Sequence, residues 1–87
     1  MNLAKHLRGV AKDTREAKFR RHTRGHIEDI KEIAESGGRV HHAEFDIFAF
    51  GETYYQKFLM KLRRHGFQVK EIEKESTIYT KAVSVKW

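Results

Sequence analysis

The run DTREAKFRRHTRGHIEDIKEIAESGG, residues 13–38, governs how the rest of the chain is read. Phe19, Ile27, Ile30, Ile33 and Ala34 recur at helical spacing and fall on one side of a wheel turning about 100° per residue, with Thr23 and His26 between them. Asp13 with Glu16 three residues on has the form of a capping box. Ser36-Gly37-Gly38 supplies a stop, because glycine tolerates the left-handed conformation that closes a helix. The spacing predicts a helix from Thr14 to Glu35 of about six turns.

Upstream, Asn2 is placed to cap a short helix over Leu3–Val10. Its apolar residues Leu3, Leu7 and Val10 lie about half a turn away from the Phe19 stripe. One straight helix cannot bury both stripes on one surface. A break near Asp13 is therefore expected, with residues 1–12 a basic N-terminal arm or short helix and residues 13–87 a single α+β domain.

The net charge of +6 is confined to one end. Residues 1–26 hold eight Lys/Arg against two Asp/Glu, whereas residues 27–87 hold ten of each. Along the second predicted helix the order opposes the macrodipole. Arg15, Lys18, Arg20, Arg21 and Arg24 lead; Glu28, Asp29, Glu32 and Glu35 trail. Each well-placed charge of the opposite order would contribute about 0.3–1 kcal/mol. A helix that forgoes this has another use for its cations, unless Arg24–Glu28 pairing on a solvated face accounts for them.

Downstream, Ala43, Phe45, Ile47 and Ala49 alternate with His42, Glu44, Asp46 and Phe48, so Arg39–Phe48 reads as a half-buried strand ended by Gly51. A helix follows from Glu52 or Thr53 to His65, with Gly66 as its stop. Tyr55, Phe58, Leu59 and Leu62 form its buried stripe; Tyr54, Lys57, Lys61 and Arg64 fall on an exposed side. Phe67–Glu73 and Thr77–Trp87 read as strands, with a bulge near Glu71 where Ile72 falls out of phase. The expected architecture is a small α+β domain, (short α)-α-β-α-β-β, whose three-stranded sheet carries its helices on one face. Whether the first two strands pair directly or through the third is open.

No catalytic motif emerges, and an enzyme is not expected. His22 and His26 stand four apart and His41-His42 follows the glycines. The helical zinc-protease glutamate is missing and no third ligand is fixed by spacing, so neither metal nor cofactor is expected. His42, Glu44 and Asp46 share a strand face, which is normally the wet side of an amphipathic strand. Asp46 with Gln68-Val69-Lys70 only distantly matches a metal-dependent nuclease pattern, because a helix intervenes and a second acid is missing. There is no cysteine, and no apolar run approaches the length that spans a membrane or directs secretion. A cytoplasmic location is expected.

The amphipathic helix Tyr54–Gly66 and the hairpin Phe67–Trp87 together resemble small proteins carried by tailed bacteriophages. That resemblance implies a host-directed binder or inhibitor, or a nucleic-acid accessory protein, acting in the host cytoplasm. It carries over no functional residues.

The expected function is that of a non-enzymatic module contacting nucleic-acid phosphates, DNA or RNA, without sequence specificity. The residues expected to do so are Lys12, Arg15, Lys18, Arg20, Arg21 and Arg24, with Lys57, Lys61 and Arg64 as a second patch. The alternative is an inhibitor or assembly factor that docks the same segment on an acidic protein. A core this small also leaves homo-oligomerisation open.

Overall fold

The computed structural model describes residues 2–87. Seven elements follow one another: helix α1 (Leu3–Glu35), strand β1 (Val40–Asp46), helix α2 (Ile47–Phe50), helix α3 (Glu52–Arg64), strand β2 (Gln68–Glu71), a 3-10 turn (Glu73–Glu75) and strand β3 (Thr80–Lys86). They form the expected small α+β domain with one antiparallel sheet.

The expected break at Asp13 does not occur. α1 is one helix of 33 residues, capped by Asn2, whose side chain accepts from the Lys5 amide at 3.2 Å. The break was required only if both apolar stripes had to be buried, and only one is. Phe19, Thr23 and Ile30 are buried, while Leu3, Leu7 and Val10 remain 65 %, 55 % and 49 % exposed. Asp13 is an ordinary exposed residue within the helix. Residues 2–15 are all exposed, so the leading turns of α1 contribute no residue to the buried core. At 1.5 Å per residue the helix is about 50 Å long, which accounts for nearly all of the molecule's 54 Å long axis.

The sheet order is β1-β3-β2, so the first two strands pair through the third, each antiparallel to it. Val83 lies between Ala43 and Glu71, and Val85 between His41 and Val69. Those residues, with Phe45, face the helices; His42, Glu44, Lys70 and Ser84 lie on the other face. Phe45 stacks on Phe58 at 5.2 Å between centroids, and Phe19 meets Phe45 edge-on at 6.4 Å. Phe19, Ile30, Phe45, Phe58, Leu62, Val83 and Val85 belong to one continuous core.

β1 stops at Asp46 rather than running to Phe48. The Asp46 carboxylate accepts from the Ala49 amide at 3.0 Å and caps α2. Gly51, at φ 88°, then turns the chain into α3. The expected bulge near Glu71 is not formed. β2 keeps regular register through Glu71↔Val83, and Ile72 still donates to the Ala82 carbonyl at 2.8 Å before the 3-10 turn. Ile72 is out of phase because it belongs to the opposite face from Val69. Tyr79 lies outside β3 and is exposed, whereas Trp87 packs edge-on against Phe67 and donates its amide to the Arg39 carbonyl.

Candidate nucleic-acid interface

Read backwards at spacings of three and four, the buried line Ile30, His26, Thr23, Phe19 continues through Arg15, Lys12, Arg8 and Lys5. The face of α1 that is apolar over the sheet thus becomes basic where the helix passes the end of the domain. Its first turn contains no acidic residue and its last turn no basic one. The charge order expected from sequence is therefore carried on one continuous dipole.

The two basic patches, separated by more than thirty residues of sequence, adjoin in space. Lys57, Met60, Lys61 and Arg64 of α3 line an open groove of about 480 Å³ together with Phe19 of α1. Arg15 and Lys18 line a second recess of about 330 Å³ with Ala11, Thr14, Ala49 and Phe50, at the root of the projecting helix. On the α3 side of α1 stands Glu16. Its carboxylate accepts from the Tyr54 hydroxyl at 2.8 Å. That bond, followed by the positive charges of Lys57, Arg20 and Lys12, holds its carboxyl below the ordinary range. The Lys57 ammonium lies 5.0 Å from the centre of the Tyr54 ring.

Tyr54 departs from its expected place. It is 8 % exposed and belongs to the core, although its neighbours Lys57, Lys61 and Arg64 are exposed as expected. The reason is α1: once that helix lies alongside α3, the ring is covered from one side and its hydroxyl finds Glu16. Not all the predicted residues converge. Lys12, Arg15, Lys18, Arg20, Lys57, Lys61 and Arg64 surround the two recesses and Glu16. Arg21 and Arg24 are exposed on the side of α1 away from the buried stripe.

Among the described residues, Lys81–Glu71 at 3.8 Å is the one ion pair. The Arg24–Glu28 pair, the alternative account of the α1 cations, is not formed, and among the described residues no Lys or Arg of α1 makes an ion pair within 4 Å. Lys5 and Arg8, on the basic line of the projecting helix, complete the surface and were not among the residues singled out. Phe19 is buried, so it is a wall of the groove rather than a stacking platform.

The histidines form a separate group. His26 Nδ1 and His41 Nε2 are 2.9 Å apart, and Asp29 stands beside them. Burial lowers the basicity of both rings; for His26, a backbone hydrogen bond at Glu44 and the charge of Asp29 oppose it. His22 lies among Phe45, Phe50 and Phe58, and burial followed by the His26 charge brings it down to about 4. Its Nε2 has no hydrogen-bond partner among the described residues. In the outer-face group His42, Glu44, Asp46, the Asp46 carboxylate is engaged as the α2 cap. The Asp46/Gln68–Lys70 pattern is divided by β3.

Comparison with known protein families, curated proteins and solved structures finds no match. No helix among the described residues is long and apolar enough to cross a membrane.

Proposed function

We propose that this protein is a non-enzymatic module that binds nucleic-acid phosphates along the basic line of α1 and the adjoining α1–α3 groove, without reading base sequence. One observation carries the reading: Tyr54 of α3 bonds Glu16 of α1 at 2.8 Å while Lys57 lies 5.0 Å from the same ring, and Phe19 of α1 lines one groove with Lys57, Lys61 and Arg64 of α3. Two patches remote in sequence are thus neighbours in space. Such a surface neutralises successive phosphates and releases their counterions. Base specificity is not part of the proposal, since Lys and Arg that neutralise phosphates supply affinity without sequence readout.

The exposed stripe Leu3, Leu7, Val10 favours a second reading. An apolar helical stripe flanked by cations suits a groove on an acidic protein. A salt series on nuclease-treated protein with labelled single- and double-stranded DNA and RNA separates the two. Nucleic-acid binding gives a log–log slope of about −0.7 to −0.9 per phosphate neutralised. That slope should shrink when Arg15, Lys18 and Arg20 become Gln, and again when Lys57, Lys61 and Arg64 do. Weak binding at physiological salt, indifferent to both variants, would transfer the assignment to a protein partner.

A further inference from the structure

We propose that His26, Asp29 and His41 form a binding site for a divalent transition-metal ion of the zinc class. His26 and Asp29 stand three apart near the C-terminal end of α1, and so share a face. The turn Ser36–Arg39 returns the chain along that face and delivers His41 on β1. Sequence spacing supplied two histidines and no third ligand; the fold supplies the third and exchanges His22 for His41.

The geometry suits a small ion. One donor atom from each of the three residues lies within 4.8 Å of the others. The His26 Nδ1 to His41 Nε2 separation is 2.9 Å. Two imidazole nitrogens on a tetrahedral zinc ion, each about 2.0–2.1 Å from it, are about 3.3 Å apart. In the free chain these two nitrogens share one hydrogen bond; when its proton moves to the outer nitrogen of the donor ring, an opening of a few tenths of an ångström admits the ion between rings already turned toward each other.

The ring of His26 is held by its neighbours: it meets His22 edge-on at 4.6 Å and lies 5.7 Å from Phe58. Two nitrogens and one carboxylate oxygen match zinc, cobalt or nickel, whereas calcium and magnesium require more oxygen donors. Three protein ligands leave a fourth position for water or an incoming donor. Asp29 is exposed, so the cluster is reachable from solvent.

The test is a titration of the tag-free full-length chain with cobalt(II), followed by displacement with zinc(II). One equivalent should produce the intense visible absorption of four-coordinate cobalt, which zinc then abolishes. Zinc should also raise the melting temperature by at least about 4 °C at a hundredfold excess over its dissociation constant. His41→Gln and Asp29→Asn should each weaken binding at least about tenfold, and His42→Gln and His6→Gln, outside the cluster, should leave it unchanged. Absence of a one-equivalent cobalt spectrum overturns the proposal. So does equal weakening by His42→Gln, or full affinity in Asp29→Asn, whose exposed position keeps that variant folded even if His41→Gln is not.

Discussion

Tyr55 and Tyr54 are adjacent, and each spends its hydroxyl on a carboxylate of a different element. Tyr55 donates to Glu71 of β2 at 2.7 Å, and Tyr54 to Glu16 of α1. α3 is thereby tied to the sheet on one side and to the long helix on the other. Burial, with the Glu71 bond second, pushes the Tyr55 phenol upward. Tyr55→Phe should cost about 1–2 kcal/mol near neutral pH, a hydrogen bond to a charged group being lost. The sign of its pH dependence follows from linkage. The unfolded phenol ionises near pH 10, while the folded one resists. Above that pH the folded chain holds more protons, so stability falls as pH rises. The gap between wild type and Tyr55→Phe should therefore be full below about pH 10 and narrow above it. Denaturation midpoints at pH 8 and pH 11 check this; a constant gap would refute it. Glu16 is an anion set within the basic surface. Glu16→Gln should tighten polyanion binding and steepen the salt slope by up to about 0.9, measurable in the same binding series.

At the level of elements, α1 illustrates what periodicity conveys and what it leaves out. The stripe Phe19–Ile33, the Asn2 cap and the Gly37 stop were all legible, since each is a local property. Continuity through Asp13 was not, because it depends on whether a second apolar stripe must find cover. α2 was overlooked because the alternation of Ile47 and Ala49 with Phe48 continues that of β1, and the Asp46 cap is a weaker signal than the alternation. Tyr54 was assigned to the wrong side because a wheel drawn for α3 alone does not contain α1. His41 had no place in any ligand set that spacing alone could assemble. Two glycines test the division of α1 into packed and unpacked halves. A Cβ at Gly9 or Gly25 would touch nothing within 4 Å. Each Gly→Ala change should favour helix by about 0.5–1 kcal/mol locally. Gly25→Ala, beside the core, should raise the denaturation midpoint. Gly9→Ala should raise helicity by circular dichroism and leave that midpoint where it is. A shift in the midpoint for Gly9→Ala would mean that the leading turns are coupled to the domain.

For the whole molecule, one modest core has to hold a helix that extends well beyond it. A domain of this size, without a disulfide, is stabilised by only about 3–5 kcal/mol. Phe58 and Leu62 are fully buried at the centre of the helix–sheet interface. Phe58→Ala, at about 3–5 kcal/mol, should unfold the chain at ambient temperature. Ile30→Val, at about 0.5–1.5 kcal/mol, should lower the melting temperature and leave the fold intact; an unchanged melt would place Ile30 outside the core. The fold class was readable from the order of elements. The sheet order was not, since β1 and β2 meet only through β3, a pairing that no local pattern encodes.

The unpacked leading turns also make the protein separable by a protease. Lys5, Arg8, Lys12 and Arg15 all lie in the exposed stretch, and trypsin cuts after such residues where the end of a helix frays. Cleavage after Arg15 would leave residues 16–87, with fourteen Lys/Arg and eleven Asp/Glu, a net charge of +3. The fragment would keep every buried residue and yet shed half of the surplus charge. A single nick would thus change how the protein migrates in an electric field and how tightly it holds polyanions, while its folded body persists.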